Sequence, residues 1–596
     1  MNLFFLNATN AQTTEPARAG DVSSRPISSG KSPQRMSTAR PLLPAPPQIA
    51  KLSVVVTQFG AVPNDGTDDT VAIQTAIDTI AQKGGGSVMF PPGTYRISIQ
   101  RQGKHLQALK LRSRVRLAAS TTKGATLKLA DRQGNYESLM GTAEYSTPLT
   151  DFVIAGLTID SNGQHNPVLR GESNGRNSPD FGDDQTALPR AAVRVYTGKR
   201  IRIDRTRFTN QNAVWSVVVN GTLEGMTDVA ITNSRFDNVG GNAVDFDHSS
   251  IYTQGARMLL DKNVFVSRSG PGTKGARTAI EIHGNDQTVI GNTITGYANG
   301  INVTGVGTPV SQRQLYQDNR LDDVNTGFTL WFGIHPGTNP ALPALQNVTL
   351  RRNTVNINST NWLRSGVAGS QGPSAGIMLD PNSNASIQDL TIADNRITFV
   401  NAQPVTYEHD RFSGGIVLWK YTHPNAPIDR LTIAGNRIVN APGAGIWSNA
   451  ALGGAGSSSI ANNTIVNPAR SYRLAEDNSG ASRAAIYLQA NSKNRNLRIH
   501  NNTIVDTLEP TRLKYGIVAN SACTGSCGIS QNIVKASTSI PVRANVSWGV
   551  RPLVPTRLST SIDVRKILLS SLLLLPIVKR PLYSIALALV LMPIGI

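Results

Sequence analysis

A short pattern that recurs at irregular intervals from about residue 150 onward is the strongest constraint on what this chain can fold into. One half of the pattern is an apolar strand ending in Asn-x-apolar, and the other half is a small residue followed by an alternating strand. The first half recurs at Asn233, Asn292, Asn353, Asn395, Asn436, Asn463 and Asn502, and the second begins at Gly300, Gly376, Gly415, Gly445 and Gly516. Alternation of period two gives each strand an inner and an outer face, and only stacked coils can bury the inner one. The pattern therefore predicts an all-β solenoid. We expect its asparagines at one corner, in the left-handed conformation, bonded to the amides of the coils above and below.

The net charge and the cysteine content limit the partners and sites that we expect for this chain. The 596 residues carry a formal net charge of +20, which favours an anionic partner. No dense Lys/Arg helix, zinc spacing or base-stacking motif is recognisable, so we expect no nucleic-acid partner. The two cysteines, Cys523 and Cys527, cannot form a disulfide scaffold or a four-cysteine zinc site. A local disulfide and two free thiols both remain open.

Two stretches near the N-terminus resemble the opening of a known superfamily. Residues 59–77 read Phe-Gly-Ala-Val-Pro-Asn-Asp-Gly-Thr-Asp-Asp-Thr-Val-Ala-Ile-Gln-Thr-Ala-Ile, and residues 84–95 read Gly-Gly-Gly-Ser-Val-Met-Phe-Pro-Pro-Gly-Thr-Tyr. They are similar to the pectate-lyase-like superfamily of pectate lyases, polygalacturonases, rhamnogalacturonases, alginate epimerases and phage tailspikes. The resemblance implies a right-handed parallel β-helix with a short N-terminal capping helix.

The stretch after residue 68 predicts that helix. Asp68 or Asp69 can cap its first turn, and an apolar stripe follows at helical spacing. The stripe consists of Ala72, Ile73, Ala76, Ile77 and Ile80. We expect this helix to plug the open end of the first coil, so the aspartates are interpreted as caps and not as catalysts.

Composition divides the chain into three regions. Residues 1–53 are rich in Pro, Ser, Ala and Arg, and they predict a disordered tail whose start resembles the remnant of a signal peptide. Residues 54–540 carry the solenoid. Residues 541–596 form an apolar tail, in which the runs within 567–596 are a candidate membrane contact although each is short for a spanning helix. We expect an extracellular or cell-surface location.

Aligning the alternating strands by their leading small residue predicts a catalytic site on the outer face. The strand from Ala243 then points Asp245 and Asp247 outward, and the strand from Ala279 does the same with Glu281 and His283. Adjacent rungs are about 4.8 Å apart, so we expect Asp245 beside Glu281 and Asp247 beside His283. Carboxylates this close together raise a pKa or bind a cation. The same two columns take Arg194 with Tyr196, Asn302 with Thr304, and Thr329 with Trp331.

Basic and aromatic residues near these columns predict substrate binding. The candidates are Arg194, Tyr196, Lys274, Arg277, Trp331, Trp419, Trp447 and Tyr487. Outward aromatic rings are platforms on which sugars stack, although long insertions at 161–190, 354–375, 398–414 and 466–484 can also cover them.

These residues support an enzyme acting on an acidic polysaccharide, with the reaction left open. A hydrolase would use two of the carboxylates as acid and base. A lyase or epimerase would neutralise the uronate with the acids, in one version through Ca²⁺, and take the C5 proton with His283, Tyr196, Lys274 or Arg277. Polygalacturonase motifs and the alginate-epimerase motif Tyr-Gly-Phe-Asp-Pro-His are absent, and residues 214–218 read Val-Trp-Ser-Val-Val instead. The alternatives are a non-catalytic adhesin or tailspike-like binding protein and a structural surface solenoid. The sequence assigns no metal ligand and leaves the oligomeric state open.

Overall fold

The structure is a computed structural model. It describes residues 40–102, 105–134, 136–142, 146–166, 190–211, 215–222, 224–238, 249–267, 278–306, 311–333, 343–358, 374–379, 386–400, 413–420, 426–470, 483–489, 493–508, 512–536 and 540–550.

The described residues form stacked coils of short strands. One sheet has 30 strands, a second has 14 and a third has 2. Strands of successive coils pair in parallel, and an antiparallel pairing joins Gln100–Gln102 to His105–Lys110 at the N-terminal end. This is the all-β right-handed parallel β-helix predicted from the repeat.

Most of the strands are short, and they follow one another closely along the chain. Up to residue 160 the strands are Ser53–Val55, Gly86–Phe90, Gly93–Ile97, Gln100–Gln102, His105–Lys110, Val115–Ala119, Ala125–Leu129, Ser138–Gly141, Leu149–Ala155 and Leu157–Asp160. The middle strands are Ala191–Val195, Gly198–Asp204, Arg207–Thr209, Trp215–Asn220, Met226–Thr232, Arg235–Asn238, Ser249–Asp261, Val264–Ser267, Thr278–Ile290, Thr293–Thr295, Asn299–Val306, Ser311–Gln317, Arg320–Val324, Thr326–Gly333, Pro343–Arg351 and Thr354–Ile357. The last strands are Ala375–Leu379, Ser386–Ala393, Arg396–Phe399, Gly414–Leu418, Ile428–Asp429, Thr432–Ala434, Arg437–Val439, Ile446–Ser448, Ser458–Ala461, Thr464–Val466, Ala484–Leu488, Lys493–Arg495, Leu497–His500, Thr503–Val505, Tyr515–Ala519, Ala522–Thr524, Gly528–Ser530, Ile533–Lys535, Ile540–Ala544 and Gly549–Val550.

Stacked apolar side chains fill the interior. Phe208, Phe236 and Phe265 follow one another in neighbouring coils, with ring centroids 4.9 and 4.7 Å apart and nearly parallel planes. Ile294 and Leu321 continue the same column and are also fully buried. Each coil therefore buries its inner face against the next, which is how a repeat too small for its own core becomes stable.

An asparagine ladder runs along one corner. It consists of Asn263, Asn292, Asn319, Asn353, Asn395, Asn436, Asn463, Asn502 and Asn532. Each amide nitrogen donates to the amide oxygen of the next member at 2.8–3.0 Å, and every member is buried. Burial is tolerated because these amides also bond the backbone of neighbouring coils, as Asn292 does with the carbonyl of Leu260.

Two details of the predicted corner were wrong. The left-handed residue is the one before each ladder asparagine, such as Lys262, Asp318 or Arg352, and not the ladder asparagine itself. Asn233 is such a left-handed residue, and Ser234 takes the ladder position beside Asn263. The side chain at the ladder position has to point into the corner, so the tight turn is made one residue earlier.

The capping helix α1 spans Thr70–Gln82 and buries Ile73, Ala76, Ile77 and Ile80. Asp69 stands at its N-cap, but its carboxylate accepts the amides of Val62 and Arg96 instead of capping the helix. Asp68 accepts the Thr70 amide and the hydroxyls of Thr70 and Ser98. Both carboxylates hold backbone and side chains of the first coil in place.

A second corner carries alternating aspartates and arginines with positive φ. Three bidentate ion pairs join successive coils there: Arg200 to Asp151, Arg257 to Asp228, and Arg313 to Asp286. Bidentate arginine–carboxylate pairs are among the strong side-chain hydrogen bonds, so the three pairs at this corner hold successive coils together.

Residues 40–52, assigned to the tail by composition, lie along this corner and are called the strap below. The amides of Gln48, Ala45 and Leu42 donate to Asp151, Asp228 and Asp286 at 2.8–3.1 Å. Three residues of a polyproline II segment rise about 9.3 Å, close to the roughly 9.6 Å of two rungs, so its amides meet every second rung.

Cys523 and Cys527 form a disulfide, which decides between the two alternatives left by the sequence. Residues 1–39 and 551–596, with the candidate membrane contact at 567–596, lie outside the described residues. Within the part of the chain that the structure describes, no helix is both long and apolar enough to cross a bilayer.

Candidate functional site

The strand register confirms the two outer columns. Arg194 pairs with Val218, Val218 with Tyr252, and Tyr252 with Glu281. The column continues through Asn302, Thr329, Met378, Val417, Trp447, Tyr487, Val518 and Arg543. His283 lies in the second column, followed by Thr304 and Trp331.

The expected neighbours of Glu281 and His283 were wrong. Tyr252 pairs with Glu281 and Gln254 pairs with His283, in the positions expected for Asp245 and Asp247. The chain forms another coil, through Ser249–Asp261, before it reaches Thr278–Ile290. Asp245, Asp247, Lys274 and Arg277 lie outside the described residues, so their roles remain predictions.

At one end of the site, Glu281 and His283 are in contact. Nε2 of His283 lies 3.2 Å from Oε1 of Glu281, so Nδ1 is the ring nitrogen that does not contact Glu281. The Tyr252 ring packs against the imidazole with 5.0 Å between centroids. His283 is only 1% exposed, whereas Glu281 and Tyr252 are half-buried. Groups that cover the imidazole must therefore move before a substrate can reach it.

At the other end, Tyr196 lies between a cation and a carboxylate. Its hydroxyl accepts a 2.7 Å hydrogen bond from Nη1 of Arg194 and donates at 3.2 Å to Oε1 of Glu137. The other oxygen of Glu137 lies 2.7 Å from Nδ1 of His105. Arg194, Glu137 and His105 are buried, and Tyr196 is half-buried. The arrangement is a row of groups able to pass a proton, with the tyrosine nearest to solvent.

Trp215 links the two ends. The Arg194 guanidinium carbon lies 5.4 Å from the Trp215 ring centroid, and the Trp215 and Tyr252 centroids are 6.2 Å apart. The eight residues form what we call the outer-face cluster: His105, Glu137, Arg194, Tyr196, Trp215, Tyr252, Glu281 and His283.

Sequence reasoning missed four members of the cluster: His105, Glu137, Trp215 and Tyr252. The sequence did contain a signal for Tyr252. Residues 250–254, Ser-Ile-Tyr-Thr-Gln, are a small residue followed by a strand in which apolar and other side chains alternate. His105 and Glu137 lie in the first coils, before the asparagine corner begins. No sequence pattern aligned them with later strands.

The aromatic side chains farther along the columns are covered. Trp447 and Tyr487 follow Glu281 in its column, as predicted. With Trp419 and Tyr515 they belong to an apolar cluster distinct from the interior core, and each is at most 6% exposed. The structure therefore buries these rings instead of presenting them as an open platform. A sugar-binding role for Trp331, Trp419, Trp447 and Tyr487 remains a prediction.

The described residues contain no group of three or more His, Cys, Asp or Glu side chains arranged to hold a metal ion. Glu137 and Glu281 are four rungs apart, which is about 19 Å at about 4.8 Å per rung. A glycosidase needs its two carboxyl groups roughly 5–9.5 Å apart, so these two carboxylates cannot form such a pair.

The described residues define the chain as a parallel β-helix with acidic, basic and aromatic side chains on its outer face. A family model described as rhamnogalacturonase A/epimerase, pectate lyase-like, matches residues 53–329. The tailspike protein of E. coli bacteriophage HK620, solved in complex with a pentasaccharide, has a TM-score of 0.54 and 16% identity, covering 81% of this chain and 78% of that chain. Residues 53–329, a little under half of the chain, are therefore similar to the pectate-lyase-like family, and the chain has the parallel β-helix fold.

Curated relatives from Azotobacter vinelandii are similar over shorter segments. Mannuronan C5-epimerase AlgE6 is 36% identical over 109 residues, 18% of this chain and 12% of the epimerase. Alginate lyase 7 is 35% identical over 133 residues, 21% of this chain and 15% of the lyase. Mannuronan C5-epimerase AlgE4 is 28% identical over 185 residues, 31% of this chain and 33% of the epimerase. The matched segments therefore span a third or less of these relatives, whose names describe polysaccharide-modifying enzymes.

Proposed function

We propose that the chain modifies an acidic polysaccharide at the outer-face cluster, by removing the proton next to a uronate carboxylate, as a lyase or an epimerase does. The observation that carries the proposal is the Tyr196 hydroxyl, bonded on one side to Arg194 and on the other to Glu137. The relatives named as mannuronan epimerases and as an alginate lyase support the same substrate class. An extracellular or cell-surface location is part of this proposal.

Proton transfer would proceed through Tyr196. Its hydroxyl proton passes to Glu137, which is in contact with His105, and Arg194 stabilises the phenolate that remains. The phenolate oxygen takes the C5 proton, and the positive charge of Arg194 attracts the uronate carboxylate beside it. In an elimination, the C4–O4 bond breaks and the departing O4 takes the proton now held by the Tyr196 hydroxyl. In an epimerisation, a solvent water gives a proton to the opposite face of C5, and the hydroxide formed takes the proton held by Glu137.

Glu281 and His283 lie farther along the same face. The rung of His283 is three rungs from that of Tyr196, about 14 Å at about 4.8 Å per rung. A sugar held at Tyr196 is therefore out of reach of the imidazole, and the Glu281–His283 pair binds a neighbouring sugar of the same polymer. Hydrolysis is less well supported, because it rests on Asp245 and Asp247.

Purified protein incubated with polymannuronate, alginate, pectate and rhamnogalacturonan tests the reaction class. New reducing ends alone would indicate hydrolysis, absorbance from an unsaturated uronate would indicate elimination, and an altered sugar configuration by NMR would indicate epimerisation. We expect Tyr196→Phe to lower kcat by about 100-fold or more. Tyr95→Phe, the control, removes a tyrosine hydroxyl outside the outer-face cluster, where it bonds the carbonyl of Pro91, and should retain most of the activity. Full activity in Tyr196→Phe would disprove the proposed site.

A non-catalytic carbohydrate-binding protein is the second candidate. It is favoured by the burial of His283 and Arg194, which are 1% and 5% exposed, and by the solved tailspike, which is in complex with a pentasaccharide. This alternative predicts measurable affinity for one of the four polysaccharides with no product after prolonged incubation.

A further inference from the structure

Three basic side chains lie together on the last coils of the solenoid. Lys514 donates its amide to the carbonyl of Arg483 at 3.0 Å, and Ile540 donates its amide to the carbonyl of Lys514 at 2.8 Å. Arg543 follows three residues later in the strand Ile540–Ala544. The three residues therefore belong to three neighbouring rungs, which are about 4.8 Å apart, and Arg543 lies in register with Val518, four residues after Lys514.

Tyr515 lies among these cations. Nζ of Lys514 is 5.3 Å and the guanidinium carbon of Arg543 is 5.8 Å from its ring centroid, and Nη1 of Arg543 lies 3.4 Å from its hydroxyl. Burial alone would raise the pKa of Tyr515, but hydrogen bonds from Lys514 and Arg543 and their positive charges outweigh it and lower the pKa. The ring orients the two flexible cations toward one patch of surface.

These three cations differ from the arginines of the aspartate corner in their ion pairs among the described residues. Arg200, Arg257 and Arg313 each form an ion pair with an aspartate. In the part of the chain that the structure describes, no ion pair joins Arg483, Lys514 or Arg543 to a carboxylate. Like charges held on adjacent rungs repel one another, and an anionic ligand relieves that repulsion.

We propose that Arg483, Lys514, Tyr515 and Arg543, which we name the C-terminal basic surface, bind a second stretch of the acidic polysaccharide whose modification is proposed above. Arg543 stands in the same column as Arg194, eleven rungs away, about 53 Å at about 4.8 Å per rung. One long polymer can lie along the face and contact both places, whereas a short oligosaccharide can contact only one. The surface makes the full chain selective for long, carboxylate-bearing polymers, because a second contact on one molecule raises the overall affinity.

The double variant Lys514→Glu/Arg543→Glu tests this surface in the full chain. Its matched control is Lys493→Glu/Arg498→Glu, which changes the net charge equally at two other exposed positions. Binding is measured at low salt with polymannuronate of about 100 sugars and with its tetramer. Wild-type and control proteins should bind the long polymer about tenfold or more tighter than the tetramer, and the double variant should lose this difference.

The outcomes separate this inference from the proposed function. If the double variant keeps the preference for long polymers while the wild type modifies them, the C-terminal basic surface is disproved and the proposed function survives. If the wild-type protein neither binds nor modifies any acidic polymer, both proposals are overturned. Tyr196→Phe should lose turnover and keep the preference for the long polymer, because it leaves the C-terminal basic surface intact.

Discussion

The single carboxylate of Asp228 binds both a neighbouring coil and the strap. It accepts two hydrogen bonds from Arg257 and the amide of Ala45 from the strap. Burial alone would raise its pKa, but these bonds and the positive charge of Arg257 outweigh burial and lower the pKa to about 2. Asp228 is 3% exposed, so solvent screens the pair little.

This pKa predicts a loss of stability in acid. The folded-state pKa of Asp228 lies below its unfolded value, so the stabilisation is present above about pH 4 and is lost as the pH falls through about 2. We expect the Asp228 carboxylate to contribute about 2 kcal/mol to the free energy of unfolding near neutral pH. Urea unfolding of wild type and Asp228→Asn at pH 7, 4 and 2.5 should show the difference shrinking across this range. Glu224→Gln, at an exposed carboxylate, is the control, and a pH-independent difference would contradict the assignment.

Single residues also show where sequence reasoning succeeded and failed. Alternation placed Glu281 and His283 on the outer face because successive side chains of a β-strand point to opposite faces. Their neighbours were wrong, because Ala243 and Ser250 both begin a small residue followed by alternation, and periodicity cannot decide which segment pairs with the next coil. Only the hydrogen-bond register between the strands shows that Tyr252 is the neighbour of Glu281.

At the scale of elements, the asparagine ladder is the main polar support of the coils. Asn395 makes four bonds: it accepts the backbone amide and side-chain amide of Asn353, and it donates to the carbonyl of Leu350 and to Asn436. Asn395→Ala removes all four bonds and leaves the buried backbone amide of Asn353 without this acceptor, although Asn353 Nδ2 still bonds Tyr316 and Asn436 Oδ1 still accepts the backbone amide of residue 395. We therefore expect a loss of about 3 kcal/mol in the free energy of unfolding by urea titration. Asn299→Ala, whose amide contacts Thr278 at 3.5 Å, is the control. Equal effects of the two substitutions would show that the ladder adds no stability.

The strap permits a test at one amide. Ala45→Pro fits a polyproline II segment but removes the N–H that donates to Asp228. We expect hydrogen exchange across residues 40–50 to become several-fold faster, because the strap loses a charge-assisted bond. Leu43→Pro is the matched control, since Leu43 is 63% exposed and its amide makes none of the three bonds to the aspartates. Slower exchange in Ala45→Pro than in Leu43→Pro would contradict the role given to this bond.

Elements differ in how well the sequence predicts them. The stripe from Ile73 to Ile80 predicted α1 because local spacing alone determines which side of a helix is apolar. The strap was missed because its order comes from Asp151, Asp228 and Asp286, which are 103–244 residues away along the chain. Proline-rich composition describes the isolated segment and carries no information about such distant acceptors.

For the whole molecule, the repeat predicted the parallel β-helix because burying every inner face requires coil stacked on coil. The sequence named only part of the cluster at which we propose the reaction. Arg194, Tyr196, Glu281 and His283 were among its candidates, but the contacts from Tyr196 through Glu137 to His105 join coils whose sequences share no marker. The burial of Trp447 and Tyr487 was also not predicted, because a period-two pattern gives the face of a residue and not its exposure.

We propose that the outer-face cluster removes the C5 proton of a uronate. Incubating the protein with polymannuronate in deuterium oxide and following C5 by NMR tests this step. Epimerisation leaves deuterium at C5, whereas elimination forms a C4–C5 double bond and leaves C5 without a hydrogen, so either change reports proton removal. We predict deuterium incorporation or C5-proton loss with the wild type, and a rate at least about 100-fold lower with Tyr196→Phe. Reducing ends formed without any change at C5, or equal exchange in the two proteins, would contradict this account.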